Sequence, residues 1–443
     1  METNTAFRQF IRYTIPNVCG MIGLSCYILA DTFFVARGLG ADGLAALNLA
    51  IPVYSFIHGS GLLLGMGGAT RYSIFRGQKA HQAADQVFSH VLHGAALLSV
   101  LFLGLGLFLS GPIAALLGAT EEVFAMTRTY LQVLLLFSPA FLLNDILICF
   151  VRNDNGPRLA MAAMLAGSFA NILMDYLFIF PLHMGIAGAV LATGFAPVIG
   201  VGIISRHFIQ KKNHFSYDKK VPLSLGQLLP VVSLGMSSLI TELASGIVMI
   251  VFNILILGLT GNVGVAAYGV VANLSLVVTS IYTGIAQGLQ PIASRACGQG
   301  DRTAMEQVLR YAMGVMLLLS LGIYVAFLAL ADPIVSCFNS AQDGQLQQIG
   351  TAGLKLYFTA MPFAGANIIL SMYMASVAKP LPAQIISLAR GLLVILPAAI
   401  LLARLLGMTG VWLAYPVAEG LVTGIGAALY AALLKSSDGL TPH

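Results

Sequence analysis

Charged side chains are scarce in this chain of 443 residues. Asp, Glu, Lys and Arg together make up 9% of the sequence and hydrophobic residues 58%, whereas charged residues make up about 25% of an ordinary soluble domain. This scarcity excludes soluble enzymes, secreted hormones and nucleic-acid-binding domains. A mean hydropathy of +0.89 leaves little room for an attached soluble module. The composition therefore indicates an integral membrane protein.

Neither the cysteines nor the glycine clusters indicate a bound cofactor. The five cysteines are an odd number scattered through apolar runs, which predicts neither a disulfide framework nor a metal cluster, and we expect them to be small core residues. The glycine clusters lack the Lys-Ser/Thr tail of a phosphate-binding loop. We therefore expect no cofactor, and any pumping would use an ion gradient instead of ATP.

Apolar runs long enough to cross a bilayer, which takes about 20 residues each, recur along the whole chain. Strict alternation of apolar and polar residues is missing, so the runs predict helices instead of barrel strands. The predicted fold is an all-α integral membrane protein with twelve transmembrane helices. Their predicted ranges are 11–36, 43–70, 87–110, 127–151, 158–181, 186–208, 225–257, 263–292, 308–331, 352–376, 382–404 and 408–434.

An internal repeat organises these helices. A shift of half the chain lays Gly43-Leu-Ala-Ala46 on Gly264-Val-Ala-Ala267, and Gly77-Gln78 on Gly298-Gln299. Six helices per copy give both copies the same orientation, which implies a pseudo-two-fold axis along the membrane normal. The prediction is an N-lobe at 1–208 (helices 1–6), a basic cytoplasmic linker at 209–222 and a C-lobe at 223–443 (helices 7–12). A transported substrate would bind in the cleft between the lobes.

The basic residues predict the orientation. Most of the 22 Lys and Arg residues fall in loops on one side if the N-terminus is cytoplasmic, and positive charge accumulates on the cytoplasmic side. We expect a multi-pass protein of the cell (inner) membrane with both termini in the cytoplasm. Because one chain holds both repeats, a monomer suffices.

Acidic residues inside the predicted spans are the strongest functional signal. Only Asp31, Asp145, Asp175, Glu242 and Glu419 lie well within apolar runs. An ionisable group there is costly, so function is the default interpretation. We expect Glu242 to line the cleft and bind substrate, Asp145 to be either functional or a helix-pairing group, and Glu419 to be structural.

Several polar residues share a helix or a helix face with these acids. Asn171 and Asp175 lie one turn apart on one face of helix 5, a pair that can hold a cation or share a proton. Thr193 in helix 6 could point at the same place. Tyr27 lies one turn before Asp31 and offers a ring to a bound cation. The alternative for Asn171 and Thr193 is a hydrogen bond between helices.

Together these residues resemble the multidrug and toxic compound extrusion (MATE) transporters, and most closely the prokaryotic branch related to the DNA-damage-inducible transporters. The resemblance rests on Pro16, the run from Asp31 to Gly40, Arg152-Asn-Asp-Asn-Gly-Pro157, Asn171-Ile-Leu-Met-Asp175 and Gly188-Ala-Val-Leu-Ala-Thr193. It implies that Asp31, Asn171, Asp175 and Thr193 form the coupling site for H⁺ or Na⁺. It also implies that Tyr27 lines the drug pocket and that Pro16, which removes a backbone hydrogen bond, is the hinge of helix 1.

The resulting prediction is an exporter of organic cations that works by antiport with H⁺ or Na⁺ through alternating access. Its substrates would be small cationic and aromatic molecules bound beside Tyr27, Asp31, Asp175 and Glu242. A lipid-linked saccharide flippase is the alternative within transport, but it would need several buried Arg or Lys residues for pyrophosphate, and only Arg390 qualifies. An intramembrane enzyme would need a catalytic constellation, which the spans lack.

Overall fold

The computed structural model describes residues 2–339 and 342–435, and all regular structure within them is helical. A 3-10 turn at Phe358–Ala360 joins α10 to α11, and a π-helical turn at Ala389–Leu393 joins α12 to α13. The helices are α1 Glu2–Gly77, α2 His81–Phe108, α3 Ser110–Leu116, α4 Glu121–Leu136, α5 Ser138–Asn153, α6 Pro157–Ile179, α7 Gly185–Ile209, α8 Leu225–Gln299, α9 Arg302–Phe338, α10 Gly344–Tyr357, α11 Met361–Ser376, α12 Pro380–Leu388 and α13 Ile395–Lys435.

Three of these helices are broken by a single glycine with a positive φ. Gly40 in α1 has φ 68° and ψ −155°, Gly261 in α8 has φ 64° and ψ −155°, and Gly407 in α13 has φ 59° and ψ −136°. An L side chain is strained in this region of backbone space, so glycine is required. Each break falls between two of the apolar runs predicted from the sequence.

Eight helical stretches in the described part of the chain are long and apolar enough to cross a membrane, if α10 with α11 and α12 with α13 are each taken as one continuous stretch. Helices α4 and α5 meet at a 49° bend and together form a ninth candidate span. The prediction of an all-helical protein with many membrane-spanning segments is therefore confirmed.

The hydrophobic core is divided along the chain. One large cluster of buried side chains comes from residues 252–422 together with Phe10. It includes Trp412 and Tyr373. Two smaller clusters come from residues 35–231. Helices α1 and α8 pack against each other and hold these clusters together.

Glycines bring α1 and α8 into backbone contact at one end of the molecule. A Cβ on Gly67 would overlap the Val231 carbonyl oxygen, and a Cβ on Gly235 would overlap the Leu63 carbonyl oxygen. A Cβ on Gly298 would likewise overlap the carbonyl oxygen of Ile74. Small residues allow such close approach between membrane helices. The two long helices are therefore packed in direct backbone contact at these glycines.

Substitution of Gly235 tests this contact. We expect Gly235→Ala to lower the unfolding free energy by about 1–3 kcal/mol, because the added methyl group meets backbone that cannot rotate away. The matched control is Gly246→Ala in the same helix, where a Cβ would have no neighbour within 4 Å. Thermal unfolding in detergent measures both, and equal melting temperatures for the two variants would show that the contact is unimportant.

The expectation that all five cysteines are core residues was wrong for three of them. Cys149 and Cys297 are buried, but Cys19, Cys26 and Cys337 are exposed on the outer surface of their helices. A membrane helix is apolar on both its inward and its outward face. An apolar sequence run therefore does not tell which face a small side chain occupies.

Candidate functional site

Two acids from different helices meet in the interior. Asp31 of α1 is 8% exposed and Asp175 of α6 is fully buried, and their carboxyl groups lie within hydrogen-bonding reach of each other. Asn171, one turn before Asp175, is also fully buried. The structure thus brings together three of the four residues predicted for the coupling site.

Three of the four oxygen atoms of this acid pair have no hydrogen-bond donor in the described part of the chain. Oδ1 of Asp31, both carboxyl oxygens of Asp175 and both polar atoms of the Asn171 amide have no hydrogen-bond partner among the described residues. Two ionised carboxylates cannot donate to each other, and like charges this close repel. The pair therefore requires a shared proton or a bound cation, and hard cations prefer carboxylate and carbonyl oxygens.

Thr193 joins the acid pair through a residue that the sequence did not point to. Its hydroxyl donates to the Ala189 carbonyl oxygen at 3.2 Å and also lies in hydrogen-bonding reach of the Tyr130 hydroxyl. Tyr130 of α4 is 3% exposed and close enough to Asp31 and Asp175 to interact with their charges. A tyrosine near the start of the predicted span 127–151 was the only available signal.

A second polar cluster begins at Tyr27. The Tyr27 and Tyr54 hydroxyls are hydrogen-bonded at 2.8 Å, and the Tyr54 ring stacks on His58 with the ring centroids 5.8 Å apart. His58 Nδ1 contacts Asp145 Oδ2 at 2.9 Å. Tyr27 lies in the electrostatic field of both Asp31 and Asp145, so it stands between the two clusters.

Glu242 of α8 completes the second cluster from the other half of the chain. Its carboxylate is half-buried and lies near His58 and Asp145. Two glycines make room for these acids: a Cβ on Gly59 would be 3.2 Å from the Glu242 Cβ, and a Cβ on Gly61 would be 3.0 Å from the Asp145 Cβ. The sequence did not predict the role of His58, although it lies one helical turn after Tyr54.

An ion pair lies in the second half of the chain. Arg390 contacts Glu419 at 2.8 Å, and the Asn367 amide donates to Glu419 Oε2 at 2.6 Å. Arg390 sits in the π-helical turn, a distortion that is frequent at functional sites. Glu419 is thus fully partnered, in contrast to Asp175.

Arg152 and Asn153 form hydrogen bonds that reach the second half of the chain. Arg152 donates to Asn17 and to Gln287 of α8, and the Asn153 amide donates to Gln290 at 2.8 Å.

The neighbouring Asp154 is held within the first half. It accepts from Tyr72 at 2.9 Å and contacts His207 at 2.9 Å. Near Ser73 and Ile74 of α1, the two halves are thus joined by close helix packing and by buried polar contacts.

Pro16, the predicted hinge, lies inside α1 and is buried. The backbone of α1 departs from helical dihedral angles at Gly40, 24 residues beyond (40 − 16). The hinge at Pro16 therefore stays a prediction, based on the backbone hydrogen bond that proline cannot form.

Comparison with known proteins identifies the class. The MatE family model matches residues 16–177 and again residues 237–400. The chain therefore belongs to the MatE family of membrane transporters.

Individual relatives agree with this assignment. The chain is 26% identical over 444 residues to the multidrug export protein MepA of Staphylococcus aureus strain MSSA476, covering 99% of this chain and 96% of that one. The MepA protein of Staphylococcus saprophyticus is 24% identical over 441 residues. These relatives are transporters and not enzymes.

Solved structures show the same fold. An outward-facing MATE transporter of the MOP superfamily superimposes with a TM-score of 0.90 at 22% identity, covering 97% of both chains. An aspartate-to-asparagine mutant of the Vibrio cholerae MATE transporter VcmN gives a TM-score of 0.89 at 22% identity, covering 99% of both. The resemblance inferred from the sequence is confirmed.

Proposed function

We propose that this protein is a secondary active multidrug exporter that moves organic cations out of the cell in exchange for H⁺ or Na⁺. The observation that carries this proposal is the pair of buried, adjacent carboxyl groups of Asp31 and Asp175, three of whose four oxygens have no hydrogen-bond partner among the described residues. Such a pair can bind either the cationic drug or the coupling ion. The relatives of the chain are multidrug export proteins.

The exchange follows from charge. When both acids are ionised, they attract a cationic drug, and the Tyr27 ring adds a cation–π contact. When H⁺ or Na⁺ binds, the negative charge is neutralised and the drug is released. Asp31, Asn171, Asp175 and Thr193 hold the coupling ion, while Tyr27, Asp31, Asp175 and Glu242 contact the drug. No resident cofactor is needed for this cycle.

The architecture proposed for this exchange has twelve spans in two lobes. The three glycine breaks divide three long helices, which turns nine candidate spans into twelve (9 + 3). The family model matches twice, with starting points 221 residues apart (237 − 16), which supports lobes at 1–208 and 223–443 joined by the linker 209–222. Both lobes then have the same orientation about a pseudo-two-fold axis.

Alternating access requires that the two ends of the cleft open in turn. The end sealed by the Gly67 and Gly235 contacts also carries the basic segment around Arg152, and the positive-inside rule assigns it to the cytoplasm. Both termini are then cytoplasmic, in the cell membrane. In this state drug and ion exchange with the outside, and Pro16 lets helix 1 bend as the lobes rock.

Charge also argues against lipid-linked saccharide transport. Pyrophosphate would need several free cations in the cleft. The Arg390 guanidinium is already paired with Glu419. The expectation that only Arg390 is buried was wrong, because Arg152 is also buried, but its guanidinium is hydrogen-bonded to Asn17 and Gln287. The flippase alternative is therefore not favoured.

Inside-out vesicles test the proposed function. With the lumen either acidified or loaded with Na⁺, we expect ethidium to accumulate inside when one of these gradients is imposed. Vesicles without the protein are the control. Equal ethidium uptake in protein-containing and control vesicles under both gradients would contradict the proposal.

A further inference from the structure

The second polar cluster contains one basic and two acidic side chains. His58 of α1 contacts Asp145 of α5 at 2.9 Å, with side chains 15% and 9% exposed. Glu242 lies in the field of both groups but forms no ion pair or side-chain hydrogen bond within the described part of the chain. The charge of Asp145 is therefore balanced by His58, whereas Glu242 has no ion-pair partner among the described residues.

Packing fixes which acid His58 pairs with. The Tyr54 ring stacks on the imidazole and meets Phe141 edge to face, which holds the imidazole Nδ1 toward Asp145. Gly61 leaves space for the Asp145 carboxylate beside α1. Glu242 belongs to α8, where its Cβ lies beside Gly59 of α1, and its side chain is half-buried.

We propose that His58 determines the charge class of the exported substrates. As the imidazolium it neutralises Asp145, so this second cluster offers Glu242 as its single free carboxylate and favours organic monocations over dications. This inference rests on the proposed function, because it assumes that cations are exported through the cleft.

The preference follows from counting charges. Asp31 and Asp175 are unchanged in every His58 variant, so the difference in preference comes from the second cluster. There, His58, Asp145 and Glu242 sum to one negative charge, which balances one cationic centre. A second cationic centre beside this cluster would lie in a low-dielectric region without a local counter-ion, which is costly. Removal of the His58 charge uncovers Asp145 and raises the count to two negative charges, which suits a dication.

Ethidium and propidium form a matched pair of probes, because they share one fluorescent ring system and carry one and two positive charges respectively. Uptake of each is measured in inside-out vesicles that contain DNA, under the gradient that drives the wild-type protein. The variant is His58→Asn, since an asparagine amide can occupy the position of Nδ1 and donate to Asp145 without carrying a charge. We expect the ratio of propidium to ethidium uptake to rise about tenfold, equivalent to about 1.4 kcal/mol.

Two double variants separate charge from shape. His58→Asn/Asp145→Asn and His58→Asn/Glu242→Gln both restore a count of one negative charge, and both should return the uptake ratio toward the wild-type value. The matched control is His93→Asn, because His93 contacts Tyr217 at 3.2 Å outside this cluster. It should leave the ratio unchanged, and thermal unfolding confirms that every variant is folded.

The outcomes distinguish the two proposals. An unchanged ratio in folded His58→Asn, or a raised ratio that persists in both double variants, would overturn the role of His58 while leaving export intact. Absence of wild-type ethidium uptake under either gradient would instead refute the proposed function itself.

Discussion

Replacement of Asp175 by Asn is expected to reduce gradient-driven export by at least about 100-fold while the protein stays folded. Asp175 is fully buried and neither carboxyl oxygen has a hydrogen-bond partner within residues 2–339 and 342–435. The amide has the same shape but cannot bind and release a proton or supply a negative charge. Coupling is therefore lost, and with it the advantage of the gradient. Initial rates of ethidium uptake into inside-out vesicles measure the effect.

The same substitution should leave stability unchanged or raise it. Removal of one of two adjacent buried carboxylates relieves repulsion and the cost of desolvating a charge. Asp31→Asn should behave alike, because its carboxyl group belongs to the same pair. The matched control is Asp332→Asn, since Asp332 is exposed near the end of α9. Wild-type export rates in either Asp31→Asn or Asp175→Asn would remove that residue from the coupling site.

Replacement of Glu419 by Gln should have the opposite profile, with a loss of stability of about 3–5 kcal/mol. Glu419 is the partner of the buried Arg390 guanidinium, whose Nε has no hydrogen-bond partner among the residues that the structure describes. Removal of the carboxylate charge leaves a cation uncompensated in the membrane interior. The change should appear as a large drop in melting temperature in detergent, together with poor yield of folded protein.

A double substitution identifies the cause of this loss. Arg390→Met/Glu419→Gln removes both charges and should recover most of the stability, since a neutral pair has no uncompensated ion. Arg390→Met alone should be destabilising, because it strands Glu419. If Glu419→Gln melts like the wild-type protein, the ion pair does not contribute to stability, and Glu419 would have to be considered as a second coupling acid.

Sequence alone predicted much of the fold, because a bilayer imposes strict rules on length and polarity. The apolar runs at 11–36 and 43–70 meet near Gly40, and those at 225–257 and 263–292 meet near Gly261. The placement of Asn171 and Asp175 on one helix face followed from helical spacing, and the depth of Asp31 followed from its apolar surroundings. Each of these features can be inferred from the sequence of a single helix.

The remaining features depend on how different helices meet, which spacing within one helix does not determine. Tyr130 reaches the acid pair from α4, and His58 contacts Asp145 across two helices. Arg390 and Glu419 are 29 residues apart (419 − 390) and pair through a π-helical distortion. The exposure of Cys19 and Cys26 was missed for a related reason, since both faces of a membrane helix are apolar.

The central claim is that one buried acid pair binds either the coupling ion or the drug. It is tested most directly by addition of ethidium to the purified protein in weakly buffered detergent, with released protons followed by a pH indicator and with Na⁺ titrated in parallel. We expect ethidium binding either to release about one proton or to be weakened by Na⁺, and Asp175→Asn to abolish this linkage. Ethidium binding that releases no proton and is unaffected by Na⁺ would contradict the proposed antiport.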